Sequence, residues 1–200
     1  MLTLYTHPMS RGRIARVMLE EIGEPYETVL LDYGTSMKAP DYLAVNPMGK
    51  VPALVHDGKV ITEAAAICTY LATAFPEKDL MARDTASYFR WMFFTAGPLE
   101  QAVVNNSFGW KAPTPPDRGR LGYGCLDDVV GALSGHLETH DYIADNRFTA
   151  ADVYIGSQIG WGLHFRSLPA TPAFTAYWDR IKDRPARTAA EAKDNALMGP

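Results

Sequence analysis

The spacing of the apolar residues changes character once along this chain, at residues 75–84, and that change limits what it can fold into. Before it, strand and helix periods alternate. Residues 2–5, "LTLY", are short, apolar and β-prone; Ile14, Val17, Met18 and Ile22 then share one helical face, with Arg13, Arg16, Glu20 and Glu21 off it and Gly23 as a stop. Residues 26–31, "YETVLL", predict a second strand, and a short helix is expected around 41–45, ended by Asn46-Pro47. In "PALVHDGKVIT" two apolar runs flank Asp57-Gly58, a pair that favours a type I′ turn, so this stretch predicts a hairpin. A third helix is expected over 63–74, with Ile67, Leu71 and either Ala74 or Phe75 facing inward. The order βαβαββα is that of an α/β sandwich in which a right-handed β-α-β unit lies beside a hairpin.

Nothing strand-like follows the proline and mixed charge of residues 75–84. Residues 85–104 form a long apolar helical pattern with a kink expected at Gly97-Pro98. Helix is expected again up to about residue 139, and once more before Pro185, which is read as its terminator. The predicted organisation is an α/β domain over 1–76, a linker over 77–84 and an all-helical domain over 85–200. One local motif there is sharp. "FTAAD" sets Thr149 as an N-cap and Asp152 three residues on, a capping box flanked by Phe148 and Val153 as a hydrophobic staple. Both polar residues are read as structural, with replacement of Asp152 costing about 0.5–2 kcal/mol and leaving ligand affinity unchanged.

Composition excludes several classes. Net charge is −4 with 19 Lys+Arg and no dense basic run, which argues against nucleic acid as the main partner. No apolar run approaches the ~18 residues of a membrane helix, and the N-terminus lacks a basic-then-apolar leader pattern, so a cytoplasmic location is expected. Cys68 and Cys125 sit in apolar helical stretches and read as buried, reduced thiols. No metal-ligand spacing stands out.

Three junctions carry chemistry. Ser10, in "YTHPMSRGR", lies where an apolar strand gives way to an arginine-rich helix, and its hydroxyl either caps that helix or faces a ligand at the helix N-terminus. Pro52, just before the hairpin, leaves a ladder position without its N–H, which fits a bend presenting the backbone of Val51 to a peptide-like ligand. Glu63 and Ala64 open the third helix, where an acidic side chain and free N–H groups can meet an amine and a carboxylate, or simply complement the helix dipole.

With "LYTHPMSRGRIARVMLEE", "NPMGKVPAL", "TEAAAI" and "FTAADVYI" in this order over essentially its whole length, the chain resembles the cytosolic glutathione transferases, bacterial members above all. The resemblance implies a thioredoxin-like N-terminal domain followed by an all-α C-terminal domain. It implies an enzyme that conjugates glutathione, as co-substrate and with no other cofactor, to small hydrophobic electrophiles. Other glutathione-dependent chemistry on the same site, or a binding module with little turnover, are the alternatives. By this resemblance Ser10 activates the thiol, with His7 and Tyr5 as competitors. Val51 pairs with the cysteinyl unit beside the cis residue Pro52. Glu63 and Ala64 hold the γ-glutamyl end, and Lys50 and Lys38 meet the glycyl carboxylate. Ala64 stands where the family commonly has serine. The absence of a cysteine at position 10 argues against disulfide exchange through an enzyme thiol. A homodimer is implied, as is a second substrate site for which Phe94, Phe108 and Trp110 are candidates.

Overall fold

A computed structural model describes residues 1–198. Gly199 and Pro200, the end of the expected helical segment, lie outside the described residues. The first unit holds a four-stranded sheet of order β2-β1-β3-β4, built from β1 (Leu2–Thr6), β2 (Tyr26–Leu30), β3 (Ala53–His56) and β4 (Lys59–Thr62). β1 runs parallel to β2 and antiparallel to β3, and β3 and β4 form the expected hairpin. Asp57 and Gly58 both take positive φ, 49° and 80°, as a type I′ turn requires.

The parallel pair is joined by α1 (Gly12–Ile22), whose buried face of Ile14, Val17, Met18 and Ile22 matches the periodicity. Gly23, at φ 73°, ends it by donating its N–H to Leu19. At the other end, a Cβ on Gly12 would sit 1.8 Å from Thr6 Oγ1, so only glycine lets the helix start this close to β1. A short α2 (Pro40–Leu43) follows β2, and α3 (Ala64–Ala74) follows β4. α3 buries Ile67 and Leu71 as predicted, together with Cys68 and Ala72, while Ala74 is exposed and Phe75 stacks on His56. Burial of each such large apolar side chain contributes about 1.5–3 kcal/mol.

The chain divides into compact units at two places. Residues Ala82–Lys182 form one; the other takes Met1–Met81 together with the segment from Asp183 onward. Pro185 does not merely end a helix. It occupies the first turn of another, α9 (Pro185–Ala196), where its missing N–H costs nothing. α9 packs on α1. Arg16, 2% exposed, reaches Asp194, fully buried, at 2.8 Å, and Arg184 makes a two-pronged bond to Glu21.

The second unit is helical throughout. α4 (Thr85–Phe94) is capped by Asp84, whose carboxylate accepts from the N–H groups of Ala86 and Ser87. The expected kink is a π turn, Thr95–Leu99, that absorbs Pro98 before α5 (Glu100–Ser107). α6 (Leu126–Leu137), α7 (Ala150–His164) and α8 (Pro172–Ile181) complete it. α7 is buried along most of its length, and Gly156 and Gly160 let Ile181 and Trp178 of α8 lie directly on its backbone. Thr149 and Asp152 form the predicted capping box. Cys125 departs from expectation: it is half-buried at the N-cap of α6, its thiol donating to Asp128 at 3.1 Å, whereas Cys68 is fully buried and burial pushes its pKa up.

Candidate functional site

The sheet register assembles the site. Tyr5 is opposite Ala53, and Ala53 is opposite Thr62, so these three residues stand in one row across β1, β3 and β4. β1 leaves this row toward His7–Pro8–Met9–Ser10, β3 enters it from Val51–Pro52, and β4 leaves it toward Glu63–Ala64. The three predicted junctions therefore meet at one end of the sheet.

Ser10 is half-buried, and both readings of its hydroxyl hold at once. Its oxygen accepts from the N–H of Gly12, the first residue of α1, at 2.9 Å, while its proton goes to the carbonyl of His7 at 2.6 Å. A hydroxyl has one proton and two lone pairs. To donate to a ligand, Ser10 has to turn that proton away from His7, and the bond from Gly12 can persist while it does. Arg11, not Ser10, occupies the N-cap position and supplies no side-chain cap.

The competitors for the thiol are placed differently. The Tyr5 ring lies against Tyr42, with centroids 5.5 Å apart, and packs beside the cluster of Leu31, Met37 and Ala53. His7 takes the N–H of Met9 on Nδ1 at 3.0 Å, which leaves Nε2 to carry the imidazole proton. Its ring lies 4.6 Å from that of Tyr33, whose hydroxyl donates to the carbonyl of Met9 at 2.9 Å.

Val51–Pro52 is a cis peptide bond, and Val51 lies outside β3. The carbonyl of Lys50 just before it accepts from Tyr42 Oη at 2.5 Å and from Asn46 Nδ2 at 2.8 Å. Asn46 is 5% exposed and also takes the N–H of Met48 on its Oδ1, so one buried amide shapes the whole turn. Burial raises the pKa of Tyr42, which keeps its hydroxyl a donor. The Lys50 side chain is exposed. Lys38 is already engaged: its ammonium donates to the carbonyls of Met48 and Gly49 at 3.0 and 2.9 Å, and a Cβ on Gly49 would lie 2.9 Å from that nitrogen. Lys38 thus ties the loop that precedes Val51.

Glu63 stands at φ 67° and ψ 122°, a conformation that costs a non-glycine residue about 1–3 kcal/mol. Its exposed carboxylate does not cap α3, so the side chain and the first N–H groups of the helix stay available to different parts of one ligand. Ala64 is buried behind it.

In the second unit, Phe94 packs edge-on against Trp91 with centroids 5.2 Å apart, while Phe108 and Trp110 are 83% and 48% exposed. Among the described residues no group of three or more His, Cys, Asp or Glu is placed to hold a metal ion, and no helix is long and apolar enough to cross a membrane. Tyr42, Asn46 and Tyr33 also shape the site. Only Asn46-Pro47 carried a signal in the sequence, and that signal marked a turn and nothing about a bond four residues on.

Comparison with known proteins is consistent from end to end. The family described as the N-terminal domain of glutathione S-transferase matches residues 1–73, and its C-terminal domain matches residues 125–185. Glutathione S-transferase GST-4.5 of Xanthomonas campestris is 30% identical over 184 residues, covering 86% of this chain and 89% of that protein. Glutathione S-transferase 3 of Zea mays is 32% identical over 206 residues, covering 92% and 90%. Among solved structures, a sphingomonad glutathione S-transferase in complex with glutathione aligns with a TM-score of 0.78 at 28% identity, covering 96% of this chain and 98% of that one.

Proposed function

The chain belongs to the glutathione S-transferase family, and on that premise we propose that it ionises the thiol of glutathione beside Ser10 and transfers the sulfur to a small hydrophobic electrophile. The observation that carries this reading is the row Tyr5–Ala53–Thr62, which brings the Ser10, Val51–Pro52 and Glu63–Ala64 junctions to one end of the sheet.

In this reading the backbone of Val51 pairs with the cysteinyl unit of glutathione. Glu63 takes the γ-glutamyl ammonium, the N–H groups at the start of α3 take its carboxylate, and Lys50 faces the glycyl carboxylate. Ala64 contributes backbone only. Lys38 acts one step back, since its contacts with Met48 and Gly49 shape the loop instead of facing a ligand. Ser10 turns its proton from the His7 carbonyl to the sulfur, exchanging a neutral hydrogen bond for a charge-assisted one. Such a bond is worth about 1.5–3 kcal/mol, and the N-terminus of α1 adds about 0.3–1. At about 1.4 kcal/mol per unit, a thiol near 8.5 falls by about one to three units and becomes substantially thiolate at neutral pH. The thiol proton leaves to water; the thiolate then forms a carbon–sulfur bond while the leaving group departs with its electron pair. No metal or prosthetic group is required. A homodimer belongs to the same proposal and rests on family membership.

Activity with an aryl halide tests it. Ser10→Ala is expected to lower kcat/KM by about 10- to 100-fold, the equivalent of one hydrogen bond to a charged atom, and to raise the apparent pKa of the pH–rate profile. Glu63→Ala should abolish retention on immobilised glutathione. An unchanged rate in Ser10→Ala would remove serine from the mechanism and leave the Nε2–H of His7 as the donor.

A further inference from the structure

The last helix of the chain reaches the loop that carries Ser10 through one side chain. Arg13, on the first turn of α1, is half-buried and uses one edge of its guanidinium twice. Nε donates to the carbonyl of Pro8 at 2.5 Å, and Nη2 donates to Asn195 Oδ1 at 2.8 Å, with Met198 Sδ at 3.6 Å. Pro8 follows His7, whose carbonyl holds the Ser10 proton, and precedes Met9, whose N–H and carbonyl hold His7 and Tyr33. The Pro8 carbonyl is thus a fastening in the middle of the loop, and Arg13 links it to α9. Asn195 stands on an anchored turn of α9. Its neighbour Asp194 is fully buried against Arg16, which fixes the register of α9 on α1 and sets Asn195 opposite Arg13.

We propose that Arg13 and Asn195 are a positioning pair for catalysis: through them α9 holds the loop of residues 7–10 so that the Ser10 hydroxyl meets the glutathione sulfur. A planar fork suits this task, because one rigid group satisfies two acceptors, the Pro8 carbonyl and Asn195 Oδ1, and transmits the position of one to the other. The inference rests on thiol activation by Ser10, and its test keeps the two apart.

Asn195→Ala, Asn195→Asp, Ser10→Ala and the double variant Ser10→Ala/Asn195→Ala are compared in the full-length protein for kcat, KM for glutathione, the pH–rate profile and Tm. Asn195→Ala is expected to lower kcat/KM about three- to tenfold, less than a full hydrogen bond to a charged group is worth, because Arg13 Nε still holds the Pro8 carbonyl. It should raise the apparent thiol pKa with little change in Tm, since Asn195 is exposed. Asn195→Asp keeps an acceptor for Arg13 and should recover most of that loss. With Ser10 already removed, Asn195→Ala should add nothing. A lower Tm with an unshifted pH–rate profile, or full additivity in the double variant, overturns the positioning role. If Ser10→Ala itself leaves the rate unchanged, it is the thiol assignment that fails.

Discussion

Asp152→Ala is expected to destabilise the protein by about 3–5 kcal/mol at pH 5, well beyond the loss of an ordinary helix cap. The capping box alone accounts for about 0.5–2 kcal/mol. The carboxyl group, however, is fully buried and has four hydrogen-bond partners: the N–H of Thr149 at 2.9 Å, Thr149 Oγ1 at 3.2 Å, the N–H of Ile143 at 2.9 Å and Tyr177 Oη at 2.8 Å, and either hydroxyl can accept its proton when it is neutral. It thus joins the start of α7 to the preceding loop and to α8. Alanine leaves these donors in a dry site, at about 1–3 kcal/mol for each that finds no new partner; the two hydroxyls can turn elsewhere, and the two N–H groups cannot.

The same site has a pH signature. Burial raises the Asp152 carboxyl to about 6, although all four donors pull the other way. Its folded pKa therefore lies above its unfolded value of about 3.9, so the folded state binds the extra proton between these values. The stabilisation is complete below about pH 4 and is lost as pH rises through 6. The gap between wild type and Asp152→Ala should narrow by on the order of 2 kcal/mol from pH 4 to pH 7. Urea unfolding at several pH values measures both effects, with m unchanged and Cm shifted. A loss below about 1 kcal/mol at pH 5, or a gap that widens with pH, would contradict the account.

What could be read in the sequence and what could not follows from the range of the interactions. The Asp57-Gly58 turn, the Gly23 stop and the Thr149–Asp152 box are caused by residues within a few positions of one another, and each formed as predicted. The meeting of Ser10, Pro52 and Glu63 needed only the strand order, because β1, β3 and β4 share a row. Arg16 was different. On the α1 pattern it lies off the apolar face, as a solvated charge should, yet it is buried because Asp194 arrives from 178 residues away. No local window contains that cause. The association of α9 with the first unit was hidden for the same reason, since "PARTAAEAKDNA" has a weak apolar face and is held by polar contacts with Glu20, Glu21, Arg13 and Arg16. Lys38 had the right sign for a carboxylate ligand, but the carbonyls of Met48 and Gly49, set by a turn ten residues on, claim it first.

Arg16→Ala should cost about 3–5 kcal/mol, because it strands a fully buried carboxylate without its cation. Arg16 Nε donates to Asp194 Oδ1 at 2.8 Å, and Nη1 donates to Tyr26 Oη at 3.1 Å and Thr28 Oγ1 at 3.2 Å. Tyr26 in turn donates to Glu20 at 2.6 Å, and burial, with that bond to Glu20, pushes its hydroxyl up to about 12. Losing the guanidinium thus leaves two hydroxyls short of a donor as well. The pair itself is a different quantity from the damage done by halving it. Taking two charges out of water offsets most of their attraction, and a well-packed apolar pair of similar total volume often holds such a site equally well. Arg16→Leu combined with Asp194→Leu should therefore recover most of what Arg16→Ala loses in urea unfolding. A double variant as unstable as the single one would mean that the bonds to Tyr26 and Thr28, and not the ion pair, hold α9 in place. The double variant also separates stability from function. If apolar packing restores the register of α9 on α1, Asn195 still meets Arg13, and the pH–rate profile should return together with the stability. Recovered stability with a shifted profile would mean that the loop of Ser10 depends on the charge at Asp194 and not on the position of the helix.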